Sequence, residues 1–113
     1  MSLPNTAIRL YPEALRTLAF GSISGTYAKL GSPLINPARV LYFFNTTDVL
    51  VTFSFDGSTD HFIIPTDTGF VFDITSNKSL QGGVCCVAQN TQIYVKGSPS
   101  LGSVYLTSFY GAD

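Results

Sequence analysis

Between Val49 and Asp56 the chain alternates without a break: Val49, Val51, Phe53 and Phe55 fall on one side, Leu50, Thr52, Ser54 and Asp56 on the other. Successive side chains leave a pleated strand on opposite faces, so a period of two rich in β-branched and aromatic residues specifies a half-buried antiparallel strand. Asp56-Gly57 supplies a turn after it and Asn45-Thr46-Thr47 one before it, since Gly, Asp and Asn tolerate the positive φ of tight connections. The stretch Pro37 to Pro65 therefore reads as a three-stranded meander. It contains no catalytic motif, which points to a scaffold or interaction protein.

Further strands are expected at Arg16–Ser22, Thr26–Leu30, Val40–Phe44, His61–Ile64, Phe70–Ile74, Gln92–Lys96 and Ser103–Tyr110, at the spacing of a sandwich. Gly31-Ser32-Pro33, Asn36-Pro37 and Gly97-Ser98-Pro99 punctuate them, because residues before proline avoid the helical region. Ser79–Asn90 is ambiguous: Gly82-Gly83 suggests a loop or bulge, and Val84–Val87 favours a strand. About eight short strands with no long helix predict an all-β, antiparallel two-sheet sandwich, jelly-roll-like, or a closed barrel. At 113 residues the chain is the size of one domain.

Residues 1–14 do not share this pattern. Pro4 and Pro12 interrupt them, and the apolar Leu3, Ile8, Leu10 and Tyr11 follow no long period. The expected division is an N-terminal arm at 1–14 and a β-sandwich domain at 15–113. Those four residues are the expected partner-binding set, and a helical turn starting at Pro12 is the one helix the arm could carry.

Charged residues make up 12% of the chain, about half the usual ~25%. A surface so poor in charge resembles an interface, so much of it is expected to be covered by other chains. The six Lys and Arg residues are scattered, with no cluster that could neutralise a run of phosphates, and no nucleic-acid partner is expected. No apolar run approaches the ~18 residues of a membrane span, and the opening residues lack a basic start followed by an apolar core; no membrane partner is expected, and the chain reads as made in the cytoplasm. Cys85 and Cys86 are adjacent, which strains a bridge between them. Within GGVCCVAQ they read as small buried apolar side chains, in keeping with a reducing compartment.

His61 is the only histidine, so multi-His metal sites are excluded and a surface imidazole is the plain reading. Asp56 and Asp60 flank Gly57-Ser58-Thr59 but lack the alternating ligands and later Glu of a cation loop; turn chemistry accounts for them. Asn45-Thr46-Thr47 and Asn77-Lys78-Ser79 match the glycosylation pattern and are read as chance. Tyr27, Tyr42, Tyr94, Tyr105 and Tyr110 are expected in the core or at inter-subunit contacts. No cofactor, metal site or enzymatic activity is expected.

Residues 25–65, with NPARVL and SFDGSTDHFIIP, and residues 91–111, with YVKGSPSLGSVY, resemble the small jelly-roll decoration or cement proteins on the capsids of short-tailed bacteriophages. The resemblance implies a structural virion protein on the capsid surface that binds across junctions of the major capsid protein, as a homo-oligomer with a dimer as its simplest form. Its alternatives are a tail or head-tail junction protein and a receptor- or carbohydrate-binding module.

Overall fold

In the computed structural model, which describes residues 9–74 and 86–112, nine strands form two antiparallel sheets packed as a sandwich. They are β1 (Arg9–Pro12), β2 (Arg16–Ala19), β3 (Ala28–Lys29), β4 (Ala38–Asn45), β5 (Val51–Ser54), β6 (Phe62–Ile64), β7 (Thr68–Asp73), β8 (Tyr94–Lys96) and β9 (Ser103–Ala112). One sheet runs β1-β9-β4-β7, with β2 also paired to β9, and the other runs β3-β8-β5-β6. The chain crosses repeatedly between sheets in jelly-roll fashion, as expected from the spacing of its short strands.

The alternation of Val49–Phe55 is borne out at Val51 and Phe53 but not at Ser54, which is fully buried although it shares a side with Leu50 and Thr52, and the expected meander is divided, with β4 in one sheet and β5 and β6 in the other. Val51 and Phe53 have no solvent exposure, Leu50 on the opposite side is exposed, and Val49 and Phe55 pack half-buried against the core. From the facing sheet, Leu41, Phe43, Val104 and Leu106 complete the core. Phe43 meets Phe53 edge-on at 5.2 Å, and Phe53 stacks on Phe62 at 5.0 Å, both within the range where aromatic pairs attract beyond simple burial.

Strand pairing begins earlier than the sequence suggested. Arg9–Pro12 pairs with β9, with Tyr11 opposite Tyr110 and their rings 5.8 Å apart. Pro12 ends this strand and starts no helical turn; the one helical segment among the described residues is a single 3-10 turn at Phe20–Ser22. Of the ambiguous stretch Ser79–Asn90, residues 79–85 lie outside the described residues. Val87, the last residue of the run that favoured a strand, makes an isolated bridge to Ala38.

Candidate interaction site

Several residues that could carry chemistry are occupied in holding the fold. Glu13 and Arg16 form a buried pair at 2.8 Å, each side chain 5% exposed. Arg16 also donates to the carbonyl oxygens of Ser32 and Pro33 and to Ser108 Oγ. Glu13 accepts from the backbone N–H groups of Ile35 and Asn36 and from the Asn36 amide. Burial pushes the Glu13 carboxyl up, but the Arg16, Ile35 and Asn36 hydrogen bonds outweigh it and bring the pKa down to about 2. This network binds the 32–36 loop to β2 and β9 and leaves no lone pair aimed at solvent chemistry.

Asp56 behaves as turn chemistry requires. Its Oδ1 accepts from the N–H groups of Ser58 and Thr59 and from Ser54 Oγ, which holds its carboxyl well below the usual carboxylate range. Asp60 accepts from the Tyr27 hydroxyl and pairs with Lys96 at 3.0 Å, and the Lys96 ammonium lies 4.6 Å from the Tyr27 ring centroid. Burial, the Asp60 hydrogen bond and the charges of Asp60 and Asp56 push the Tyr27 phenol up to about 12. Exposed His61 accepts the Phe55 N–H at Nδ1, 3.0 Å away, and so pins the β5–β6 turn. Among the described residues no group of three or more His, Cys, Asp or Glu side chains could hold a metal ion. No helix among them is long and apolar enough to cross a membrane.

Asn45 explains why its glycosylation pattern is idle: the side chain is fully buried and its amide donates to the carbonyl oxygens of Val49 and Ile64. The second pattern, at Asn77, lies outside the described residues, as does Cys85. Cys86 is exposed and carries a free thiol, contrary to the expected buried side chain. Its neighbour Val87 is held at the sheet margin by a single bridge, so position 86 lies outside the packed strands.

Exposed apolar side chains occur elsewhere, Ile63 of the four-stranded sheet among them, but two groups of them lie together on the five-stranded sheet. β7 is an edge strand on which Phe70, Val71 and Phe72 are 43%, 54% and 36% exposed. Phe70 and Phe72 sit on the side of the sheet that faces the sandwich, but β6 is only three residues long and leaves them partly uncovered. On the opposite side of this sheet, Leu15, Tyr42, Phe44, Thr46, Tyr105 and Thr107 line an open groove of about 250 Å³. Tyr42 and Phe44 meet edge-on at 6.2 Å. The Tyr42 hydroxyl lies over Gly69, 2.9 Å from where a Cβ would stand; a side chain there would push the exposed ring aside.

Of the residues singled out from sequence for partner binding, Leu10 and Tyr11 are 45% and 36% exposed on β1, while Leu3 and Ile8 lie outside the described residues. The groove was the feature sequence reasoning did not isolate. Its signal was present in Arg39-Val40-Leu41-Tyr42-Phe43-Phe44, apolar on both faces of one strand where a solvated outer face would show polar residues.

No protein-family model and no curated protein matches this sequence. One solved structure, from work on Bacillus endospore appendages described as forming a novel family of disulfide-linked pili, matches at a TM-score of 0.51 with 12% identity, over 100% of this chain and 97% of that one. At that identity the likeness is one of fold. It nevertheless overturns the expected kinship with phage cement proteins, and with it capsid decoration, the virion location and the major capsid protein as partner, together with the tail, junction and receptor-binding alternatives. The phrases that suggested them are strand-and-turn phrases, which a jelly-roll sandwich of any allegiance can carry.

Proposed function

We propose that this chain is a structural, non-enzymatic subunit that polymerises with copies of itself into an extracellular appendage. The observation that carries the reading is β7, a six-residue edge strand with three consecutive large apolar residues exposed. Such an edge is a template for another strand, and monomeric sandwiches shorten, charge or cover theirs. The sheet's other margin is formed by β1 and β2. Joining β7 of one copy to that margin of the next is a head-to-tail contact, which propagates as a filament when its rotation does not close into a ring. The fold shared with a chain from pili supports the same reading.

Within it, residues 1–14 serve as an arm whose Leu3, Ile8, Leu10 and Tyr11 contact a neighbouring subunit, with β1 as the part that rests on its own domain. The exposed Cys86 thiol suits covalent locking of neighbours after assembly in an oxidising environment. Electron microscopy of the purified protein at rising concentration tests the proposal. Filaments are expected, and Phe72→Lys, which puts a charge on the exposed edge, should abolish them while leaving the far-ultraviolet circular dichroism of the fold unchanged. A protein that stays unassembled across the whole range, or filaments indifferent to Phe72→Lys, would show the edge reading to be wrong.

A further inference from the structure

The two outer faces of this sandwich differ in kind. On the four-stranded sheet, Lys29 and Lys96 point outward, with Asp60 paired to Lys96, so that charges stand among Thr52 and the exposed Ile63 on that face. On the five-stranded sheet, the outward positions of β4 are Val40, Tyr42 and Phe44, and those of β9 opposite them are Tyr105, Thr107 and Phe109. Val71 of β7 and Leu15, just before β2, extend the surface on either side. Among the described residues the only charged side chain on this face is Asp73, at its corner opposite Val40. A sheet face carrying aromatic, aliphatic and hydroxyl groups in place of charges has the make-up of the centre of a protein interface.

We propose that this charge-poor face packs against the same face of a second copy of the chain. The proposal rests on the polymer reading for its setting, but not for its geometry. β4 spans eight residues, or ~27 Å at strand rise, and the four strands side by side span ~19 Å, for a projected area of ~500 Å². The accessible surface of a corrugated face exceeds its projection, which brings it towards the ~800 Å² per partner of a standard interface. A flat or gently twisted sheet covers another sheet with least wasted area at the ~10 Å spacing of sandwiches, and a second copy brings a face of matching length and polarity. The groove bordered by Leu15 and Tyr105 supplies the relief such a contact needs: its ~250 Å³ receives a side chain of ring size, and Phe109 stands two strand positions beyond Thr107 on the same face. Because the contact uses one surface twice, it closes as a two-fold pair and cannot itself elongate. In a filament built through sheet edges it would join two strings of subunits side by side.

Sedimentation velocity on full-length protein tests this. With elongation blocked by Phe72→Lys, the protein should sediment as a dimer at roughly 10–100 µM, where a weak self-association is populated. Adding Tyr105→Lys or, as a second variant on the more exposed ring, Tyr42→Lys should raise its dissociation constant at least tenfold, with circular dichroism confirming that each variant is folded. A photo-reactive phenylalanine at position 44 should cross-link to the β4 or β9 segment of the other copy. A strictly monomeric Phe72→Lys protein, a dimer indifferent to both face variants, or cross-links from position 44 to residues 1–8 would each overturn the proposal, the last by showing that the N-terminal segment covers the face. The two readings fail separately. A wild-type protein that forms no filaments but a dimer sensitive to Tyr105→Lys removes the polymer and keeps the face contact; filaments that give a monomer when edge-blocked do the reverse.

Discussion

The Asn45 amide donates to the carbonyl oxygen of Ile64 at 2.9 Å, tying the end of β4 in one sheet to the end of β6 in the other. The same side chain accepts at Oδ1 from the Thr47 N–H and hydroxyl, so a fully buried amide has its polar groups met. Replacing Asn45 by Ala removes the donor and acceptor but leaves the carbonyls of Val49 and Ile64 and the Thr47 N–H buried. Each unsatisfied group costs about 1–3 kcal/mol, partly relieved by the remaining Thr47 to Val49 hydrogen bond. A loss of about 2–4 kcal/mol is expected, read as a lower midpoint of urea unfolding.

Glu13 makes stability depend on acid. Its folded pKa, about 2, lies below its ordinary value of 4.5, so the unfolded chain binds more protons between those values and stability rises with pH across that window. The contribution is complete above about pH 4.5 and is lost as the pH falls towards 2. At neutral pH it is on the order of 2–3 kcal/mol, given how little of the pair is exposed. Glu13→Gln should lower the melting temperature at pH 7 and flatten its fall between pH 5 and 2.5. An unchanged pH profile in that variant would assign the acid sensitivity elsewhere.

Gly102 lies at φ +85, and a Cβ there would stand 2.2 Å from the Thr46 carbonyl oxygen. The backbone conformation disfavours any L side chain, and the obstructing atom is main chain in the loop beside Asn45. Relief therefore requires moving the β4–β5 connection or the start of β9. Gly102→Ala should cost more than the ~1 kcal/mol of an ordinary glycine replacement, with an effect on thermal unfolding well beyond that of Gly21→Ala, where a Cβ meets nothing within 4 Å.

The strands legible in the sequence are those whose two faces differ. Val49–Phe55 declared its buried side because Leu50 and Thr52 alternate with Val51 and Phe53. β4 was equally clear as a strand, but both its faces are apolar, so no pattern could say that Phe43 points into the core and Tyr42 and Phe44 out of it. β1 was hidden for another reason. Four residues ending on a proline have no period to read, and their pairing is decided by β9, about a hundred positions away and long enough to hold β2 and β1 end to end. The Glu13–Arg16 pair has the spacing of a local contact, yet its depth comes from Ser32, Asn36 and Ser108, whose proximity only the fold creates.

The cysteines set a limit on covalent assembly that can be counted. A disulfide joins two thiols, with two electrons and two protons passing to an oxidant such as dioxygen, so a subunit with one linking cysteine can be joined only into pairs. Chains of covalently joined subunits need two. This sequence has two, Cys85 and Cys86, and their Cα atoms stand ~3.8 Å apart, closer than the 4.4–6.8 Å of ordinary disulfides, which disfavours a bridge between them. With the Cys86 thiol exposed and free, the expectation is that assembled protein exposed to air shows, on a non-reducing denaturing gel, a ladder beyond the dimer that collapses with reductant. Cys86→Ser should cut the ladder at the dimer without dissolving the filaments, since the edge contacts proposed to build them are non-covalent. Assembled, oxidised filaments that run only as monomers would remove the thiols from the assembly altogether. A full ladder in Cys86→Ser could not be explained by this count.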